Sequence, residues 1–575
     1  MNDSVQKATR VVILGGGFAG VYTAKYLTER LGRRGDVEVE LLSDQNYFVF
    51  QPLLPEVAAG GVSATHVVNP IRELVPRASF RCCSVTSIDF ARQRVLVSQG
   101  EGLELVEVPY DHLVFCLGKV THFGSMPGVS EHGLAMKDLS DAFRLRNHVL
   151  RCLELADIEA DPDAKRALLT FVVAGGGFSG VETIGELAEL VSRSLRYFPR
   201  IAAKEVRFQL IHAQERILPE MPEPLSLAAR QILERRGVQM VLNARVRAAS
   251  PGAVYLHDGR ALETRTFVCT VGTAPHPIVQ LALAQGGFAQ AELGGRAISA
   301  FATESTLQCS GRPGYWAVGD CAGIPSPTGK GLCPPTAQFA IREAKTCARN
   351  IIATIDRKPM STLAFRALGS LASLGQRSAV AELCGIRLSG FLAWFAWRTV
   401  YLSKLPGWVR RLRVALDWTL DLFFPRDITQ LQVFRNQQLH VHHYEPGEAI
   451  VRQGQVGREL YLILKGEVEV SSQSGGSLVR LGAREVFGER ALLEDTRRNA
   501  TVRATQAADV LVMSRADFHA MVKNLPVLSD YFAELLRSRH PDAMASAEPM
   551  VGEMLAVPER PPVERVPSAP ELRPN

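Results

Sequence analysis

Two glycine-rich runs carry the first chemistry legible in this chain of 575 residues. Gly15-Gly16-Gly17-Phe18-Ala19-Gly20 and Gly175-Gly176-Gly177-Phe178-Ser179-Gly180 share the spacing GxGxxG. In that spacing the first glycine makes a tight turn and the second lets backbone approach a pyrophosphate. The third lets a following helix pack closely on its sheet. The N-terminus of that helix stabilises the phosphate charge. The spacing is weak alone and gains force only where a strand precedes it and a helix follows. Further candidates stand at strand ends. Ser43-Asp44 closes the run Val37 to Leu42, and either its hydroxyl or its carboxylate reaches a ribose hydroxyl. His212 closes the run Val206 to Ile211, where a carboxylate would favour NADH. A histidine does not select against a 2′-phosphate, so NADH and NADPH both stay open, and His212 equally reads as a solvated strand-end residue. Glu182 begins a helix directly after the second turn, so its carboxylate can face the junction of two nucleotide rings. A first-turn Glu favoured by the helix dipole is the plainer reading.

The elements that must position these residues are present in both copies. Arg10-Val11-Val12-Ile13-Leu14 precedes the first turn and Leu168 to Val173 the second, each a short apolar run. Val21 to Leu27 and Val181 to Val191 follow with apolar residues at helical spacing. Strand, turn and helix recur, which predicts two dinucleotide-binding domains in one chain. Apolar residues are 46% and charged residues 22%, the balance of a soluble globular protein. That balance excludes wholesale disorder, and no segment has the roughly 18 uninterrupted apolar residues of a spanning helix. The ten cysteines show no CxxC spacing, and Met1 to Arg10 lacks the apolar core of a secretory signal, so a reducing, intracellular setting is expected. A net charge of +6 is too small and diffuse to imply nucleic acid.

Tyr315-Trp316-Ala317-Val318-Gly319-Asp320 is a strand ending in a carboxylate, the arrangement flavoproteins use to bind a ribityl hydroxyl. With two dinucleotide folds it makes FAD the expected first ligand. Other stretches carry a closer likeness: Asn46 to Leu54, Tyr110 to Val114, Val181-Glu182, Arg216 to Pro219, Gly319 to Ala322, Pro334 to Gln338 and Gly369 to Ala372. On these residues the region from about 10 to 430 resembles the type II (non-proton-pumping) NADH:quinone oxidoreductases. The resemblance implies FAD held by the first glycine run, Ser43, Asp44, Gln51, Gly319, Asp320, Thr336, Ala337 and Gln338. It implies NAD(P)H held by the second glycine run, Glu182, His212 and Gly272. Glu182 is then the catalytic group, contacting the nicotinamide side and relaying protons to a quinone. Two positions depart from the family: Arg342 stands where a glutamine is usual and Leu368 where a lysine is usual, both near the expected quinone end. Cys333 beside Pro334 raises a sulfide:quinone alternative, which needs a second cooperating cysteine near the flavin.

From Arg387 to Leu416 the chain holds Arg387, Arg398, Lys404, Arg410, Arg411 and Arg413 and no Asp or Glu. Trp394, Trp397, Trp408 and Trp418 lie in or beside it, and Pro406-Gly407 splits it into two helices. Basic residues with Trp and Phe on the opposite face describe helices lying in a membrane interface; a buried helical pair is the alternative. Further on, Tyr444 to Gly454, Leu460 to Val468, Phe487 to Leu493 and Arg497 to Thr501 resemble a cyclic nucleotide-binding domain. That resemblance implies Gly488, Glu489, Arg490, Ala491, Arg498 and Asn499 as ligands, with Glu489 on the ribose and Arg498 on the cyclic phosphate. The tail from Pro541 carries eight of the 32 prolines and no aromatic residue, so it is expected to stay unfolded.

The expected fold is α/β. Two Rossmann-like domains (8–165 with 295–350 for FAD, and 166–294 for NAD(P)H) precede a membrane-surface segment at 360–428. A β-roll cyclic nucleotide domain at 429–535 and a tail at 540–575 follow. The expected activity is FAD-dependent NAD(P)H:quinone reduction, with no metal, peripheral on the cytoplasmic face of the cell membrane and regulated by cAMP or cGMP. The expected partners are a quinone, a lipid surface and a second copy of the chain, and nucleic acid is not expected. A signalling flavoprotein with incidental turnover is the competing class.

Overall fold

The computed structural model describes residues 8–32, 34–99, 105–124, 126–329, 331–365, 369–430, 440–455, 459–471, 479–488, 498–514 and 518. Strand β1 (Thr9–Leu14) leads through the first glycine run into α1 (Phe18–Leu31) and β2 (Val37–Ser43). Helix α2 (Leu54–Ala58) and strands β3 (Ser79–Cys82) and β4 (His112–Phe115) follow. Val11, Ile13 and Leu14 are fully buried, as expected for a strand covered on both faces of a parallel sheet.

The second copy comprises β5 (Gly133–Leu134), β6 (Thr170–Ala174), α3 (Phe178–Ser194), β7 (Arg207–Ile211), β8 (Val238–Val241) and β9 (Thr266–Cys269). The chain then returns to the first sheet with β10 (Tyr315–Ala317) and α4 (Ala337–Ile355). Five parallel strands in the order β10-β4-β1-β2-β3 make the first sheet. The second sheet, β5-β9-β6-β7-β8, is also all parallel. Residues 133–134 therefore pair in the second sheet although they precede residue 166.

An antiparallel sheet of β11 (Gly369–Ser373), β12 (Ala379–Leu383) and β13 (Ile386–Gly390) comes next. Helices α5 (Phe391–Lys404) and α6 (Trp408–Phe423) flank the expected Pro406-Gly407 break. Helix α5 packs on this sheet, while α2 and β11 pack on α3. Among the described residues no helix is long and apolar enough to cross a membrane.

Among its described residues, a second compact unit contains eight short strands, β14 (His440–Tyr444), β15 (Ala449–Val451), β16 (Glu459–Lys465), β17 (Val468–Ser471), β18 (Val479–Leu481), β19 (Val486–Phe487), β20 (Thr501–Ala504) and β21 (Ala508–Ser514). They form two antiparallel four-stranded sheets, β14-β21-β16-β19 and β15-β20-β17-β18, around Ile463, Val468, Ala508 and Val510. His442 and His443 lie on edge strand β14. The tail from 540 onward lies outside the described residues.

Candidate functional site

The two glycine turns have the same geometry. Gly15 and Gly175 have φ of +107° and +120°, conformations that side chains rarely adopt. A Cβ on Gly20 would overlap the Gly15 carbonyl oxygen, and one on Gly180 the Gly175 oxygen, so these glycines bring each helix onto its turn. Gly17, the N-cap of α1, has an ordinary φ of −80°, and a Cβ there would meet nothing within 4 Å. Gly17 is therefore needed neither for conformation nor for packing, and it faces open space. Gly177 is similarly open, with only Glu220 Oε1 at 3.9 Å from a Cβ.

Around the first turn, Ser43 is buried against Gly16 and Asp44 is exposed beside it. The Gly319 turn, which carries Asp320, backs onto α1, since a Cβ on Gly319 would lie 3.1 Å from Ala19 Cβ. Glu343 of α4, which the sequence did not single out, accepts the Gly319 N–H at 2.9 Å. Burial pushes its carboxyl up to about 7. Gly319, Asp320, Cys333, Thr336 and Glu343 line a cavity of about 280 Å³ at the N-terminus of α4. Gln338 donates to the Gly369 carbonyl at 3.3 Å, and Gln51 is exposed near Lys137. The Cys333 thiol is pushed up to about 12 by burial, unfavourable for the thiolate a sulfide reaction needs. Arg342 lies over the Phe365 ring at 5.3 Å, and Leu368 lies outside the described residues.

In the second copy, His212 Nδ1 accepts the Gly176 N–H at 3.0 Å. That bond requires the neutral tautomer with Nε2–H, and burial lowers the imidazole pKa accordingly. Its Nε2 is buried without a hydrogen-bond partner, so the residue is more than a solvated strand end. Gly272 (φ +93°) lies against the His122 carbonyl, beside the antiparallel pairing of Lys119–Thr121 with Thr273–Pro275.

Glu182 points into the protein. Its Oε1 accepts the Ser373 N–H at 3.0 Å and Trp397 Nε1–H at 3.3 Å. Burial pushes the carboxyl up to about 8, although those two bonds pull it down. One turn along α3, Glu186 accepts the Ser373 hydroxyl at 3.2 Å and is also pushed up to about 8 by burial. Glu56 of α2 accepts Trp418 Nε1–H at 2.5 Å and is raised by burial as well. Sequence reading missed Glu56, Glu186, Ser373 and Arg426. Only Glu186 left a signal there, four residues after Glu182 on the same helical face.

The tryptophan reading needs correction. Trp394, Trp397 and Trp418 are core residues, and only Trp408 is exposed, at 75% against 1% for Trp397. Arg398 likewise is not at the surface. Its guanidinium lies over the Trp394 and Trp418 rings at 4.1 and 4.6 Å, with Glu56 at 3.9 Å. The indole faces and the carboxylate replace the water that a buried cation loses. The exposed apolar face consists instead of Phe391, Leu392 and Phe395 on α5 and Trp408, Leu412, Leu416, Leu420 and Phe423 on α6. The α6 residues recur every three or four positions and form one stripe.

In the second unit, Arg498 donates to the Glu459 and Gly488 carbonyls at 3.0 and 3.3 Å and lies over the Tyr461 ring. Gly488 has φ +82° and Asn499 is exposed. Glu489, Arg490 and Ala491 lie outside the described residues.

Three comparisons bear on this geometry. Residues 9–344 match the pyridine nucleotide-disulphide oxidoreductase family, 368–427 the NDH2 C-terminal domain and 441–524 the cyclic nucleotide-binding domain. A type II NADH:quinone oxidoreductase of Mycobacterium tuberculosis is 31% identical over 75% of this chain and 92% of its own length. A demethylphylloquinone reductase of Synechocystis is 31% identical over 71% of this chain and 95% of its own. The structure of NDH2 from Plasmodium falciparum in complex with NADH shares the fold, with a TM-score of 0.67 at 19% identity over 74% of this chain and all of that one. The doubled glycine turns, the C-terminal sheet with its two helices and the extent of these matches lead to one assignment: the chain belongs to the type II NADH:quinone oxidoreductase family and carries a cyclic nucleotide-binding domain behind it.

Proposed function

We propose that this chain oxidises NADH and reduces a membrane quinone through FAD while docked on a lipid surface. The observation that carries this reading is the pair of equivalent glycine turns on two parallel sheets, with the buried Glu182 one turn into the helix that follows the second, which begins at Phe178. FAD, when bound, supplies the two-electron chemistry that links a hydride donor to a quinone. The open face of Gly17 and the N-terminus of α1 fit its pyrophosphate, and Asp320 fits a ribityl hydroxyl. Ser43 and Asp44 both remain at the ribose end.

On the donor side, Gly175, Gly177 and Gly180 shape the turn that receives the NADH pyrophosphate. The neutral His212 braces that turn, its Nδ1 accepting the Gly176 N–H. Glu182 holds its proton at neutral pH because its surroundings are dry, and that makes it a proton donor for the quinone. The apolar stripe of α6, flanked by Arg410, Arg411 and Arg413, fits a lipid surface, which brings a lipid-dissolved quinone to the protein. Arg498, with Gly488 beside it, is the proposed anchor for a cyclic phosphate. The cytoplasmic face and a homodimer belong to the same proposal.

The visible spectrum of purified protein tests the reading. Flavin absorbance should bleach on NADH addition and return on adding a quinone. A yellow protein that NADH does not bleach would sink the donor assignment, and a bleached one that quinone leaves unchanged would sink the acceptor.

A further inference from the structure

Glu182, Glu186 and Glu189 occur at i, i+4 and i+7 of α3, one face of a helix that runs from buried to partly exposed. Ser373 joins the first two, giving its backbone N–H to Glu182 at 3.0 Å and its hydroxyl to Glu186 at 3.2 Å. Charged and titratable groups reach this face from several other elements. From α2 comes Glu56, and from α5 come Arg398 and Tyr401, whose hydroxyl burial and Glu182 both keep protonated. Helix α6 adds Asp421, and the chain just after it adds Arg426, whose guanidinium lies 3.6 Å from Glu186, 3.4 Å from Glu189 and 3.1 Å from Asp421. Arg193 faces Glu189 and Asp421, and Arg236 acts on Glu186 and Glu189 from its place at the turn after β11.

Five carboxylates therefore face four guanidiniums. Glu56, Glu182 and Glu186 are each under 9% exposed, and Glu186 Oε2 is buried with no hydrogen bond. A dry cluster with one surplus negative charge is unfavourable, and binding one proton removes the surplus.

We infer that this cluster holds one shared proton in the resting protein, and that Glu186 and Glu56 are the positioning residues that keep it on or beside Glu182 until a quinone takes it. The inference rests on the proposed quinone reductase activity and deepens it. NADH, quinone and one proton give NAD⁺ and quinol. The hydride brings both electrons and one hydrogen of the quinol, and the cluster's proton is the other. Solvent refills the cluster at its partly exposed end, where Glu189 and Asp421 are 12% and 11% exposed. Burial pushes the Glu182 and Glu186 carboxyls up, in keeping with a proton retained at neutral pH.

The test compares the full-length holoprotein with its Glu186→Gln and Glu56→Gln variants, all three checked for equal flavin content and unfolding temperature. Either variant leaves the charges balanced without a proton. Infrared spectroscopy of the resting protein at pH 7.5 should therefore show a protonated-carboxyl band smaller by about one group in both. The alkaline decline of quinone-dependent kcat should move down by at least about one pH unit in both, while NADH bleaches the flavin at the wild-type rate. Glu56→Gln decides the matter. If Glu56 were an ordinary ionised neighbour, removing it would leave the infrared band unchanged. An unchanged band or an unchanged pH profile in that variant overturns the inference. If the wild type shows the band but never reduces a quinone, the activity assignment fails and the shared proton stands.

Discussion

Gly17→Val separates the ligand from the fold, because Gly17 and Gly20 at the start of α1 do different work. At Gly17 the backbone is ordinary (φ −80°) and a Cβ would meet no atom within 4 Å. Glycine is a much better N-cap than valine, so valine should cost the apoprotein about 1 kcal/mol, a small part of its stability. The same branched side chain projects into the space assigned to the pyrophosphate. Displacing that group from two backbone N–H donors, at about 1.5–3 kcal/mol per hydrogen bond to a charged group, costs about 3–6 kcal/mol. That corresponds to roughly 10²- to 10⁴-fold weaker binding. Gly20→Ala should do the reverse, since its methyl group overlaps the Gly15 carbonyl and the turn must open. The assay is flavin absorbance per mole of purified protein, together with the unfolding temperature of each apoprotein measured alongside apo wild type. Gly17→Val should be colourless with an unfolding temperature near that of the apo wild type, and Gly20→Ala should be poorly folded. A yellow Gly17→Val protein with normal flavin content would refute the placement of the pyrophosphate, and a well-folded Gly20→Ala would refute the packing argument.

Replacing Leu412, Leu416 and Leu420 together with Gln removes the centre of the α6 stripe. At about 1.5–3 kcal/mol per buried leucine side chain, co-sedimentation with anionic vesicles should be lost while soluble-quinone turnover persists; retained vesicle binding would place the contact elsewhere. Arg498→Ala should weaken cAMP or cGMP binding by about 2–4 kcal/mol, read by calorimetry, and equal affinity would leave the cyclic phosphate without its proposed anchor. Glu182→Gln should cut quinone-dependent kcat and abolish its decline above about pH 8, because burial raises that carboxyl to about 8 and only its protonated form donates; a variant with the wild-type pH profile would remove Glu182 from the proton step. The same raised carboxyls make a stability prediction. They bind protons more tightly folded than unfolded, so their contribution is complete below about pH 4.5 and lost as pH rises towards 8. The unfolding temperature should accordingly be lower at pH 9 than at pH 6.5, a difference that Glu182→Gln with Glu186→Gln should shrink.

What the sequence by itself determined was local. A strand, a GxGxxG turn and a helix span about 20 consecutive residues; steric contact within that span dictates Gly20 and Gly180, and the positive φ of the turn dictates Gly15 and Gly175. The Gly319-Asp320 turn and the break between α5 and α6 were legible for the same reason. Tertiary structure decided whatever depends on which face of an element is covered. Composition placed four tryptophans near six cations, but only packing of α5 on its sheet and of both helices on α2 buried three of the four and drew Arg398 between their rings. Spacing could align Glu186 with Glu182, yet their shared surroundings come from Glu56, Ser373 and Arg426, which lie from about 130 to 240 residues away in the chain. A carboxylate's proton affinity is set by the water and charge within a few ångströms of it, and residues that distant in sequence reach it only once the chain has folded.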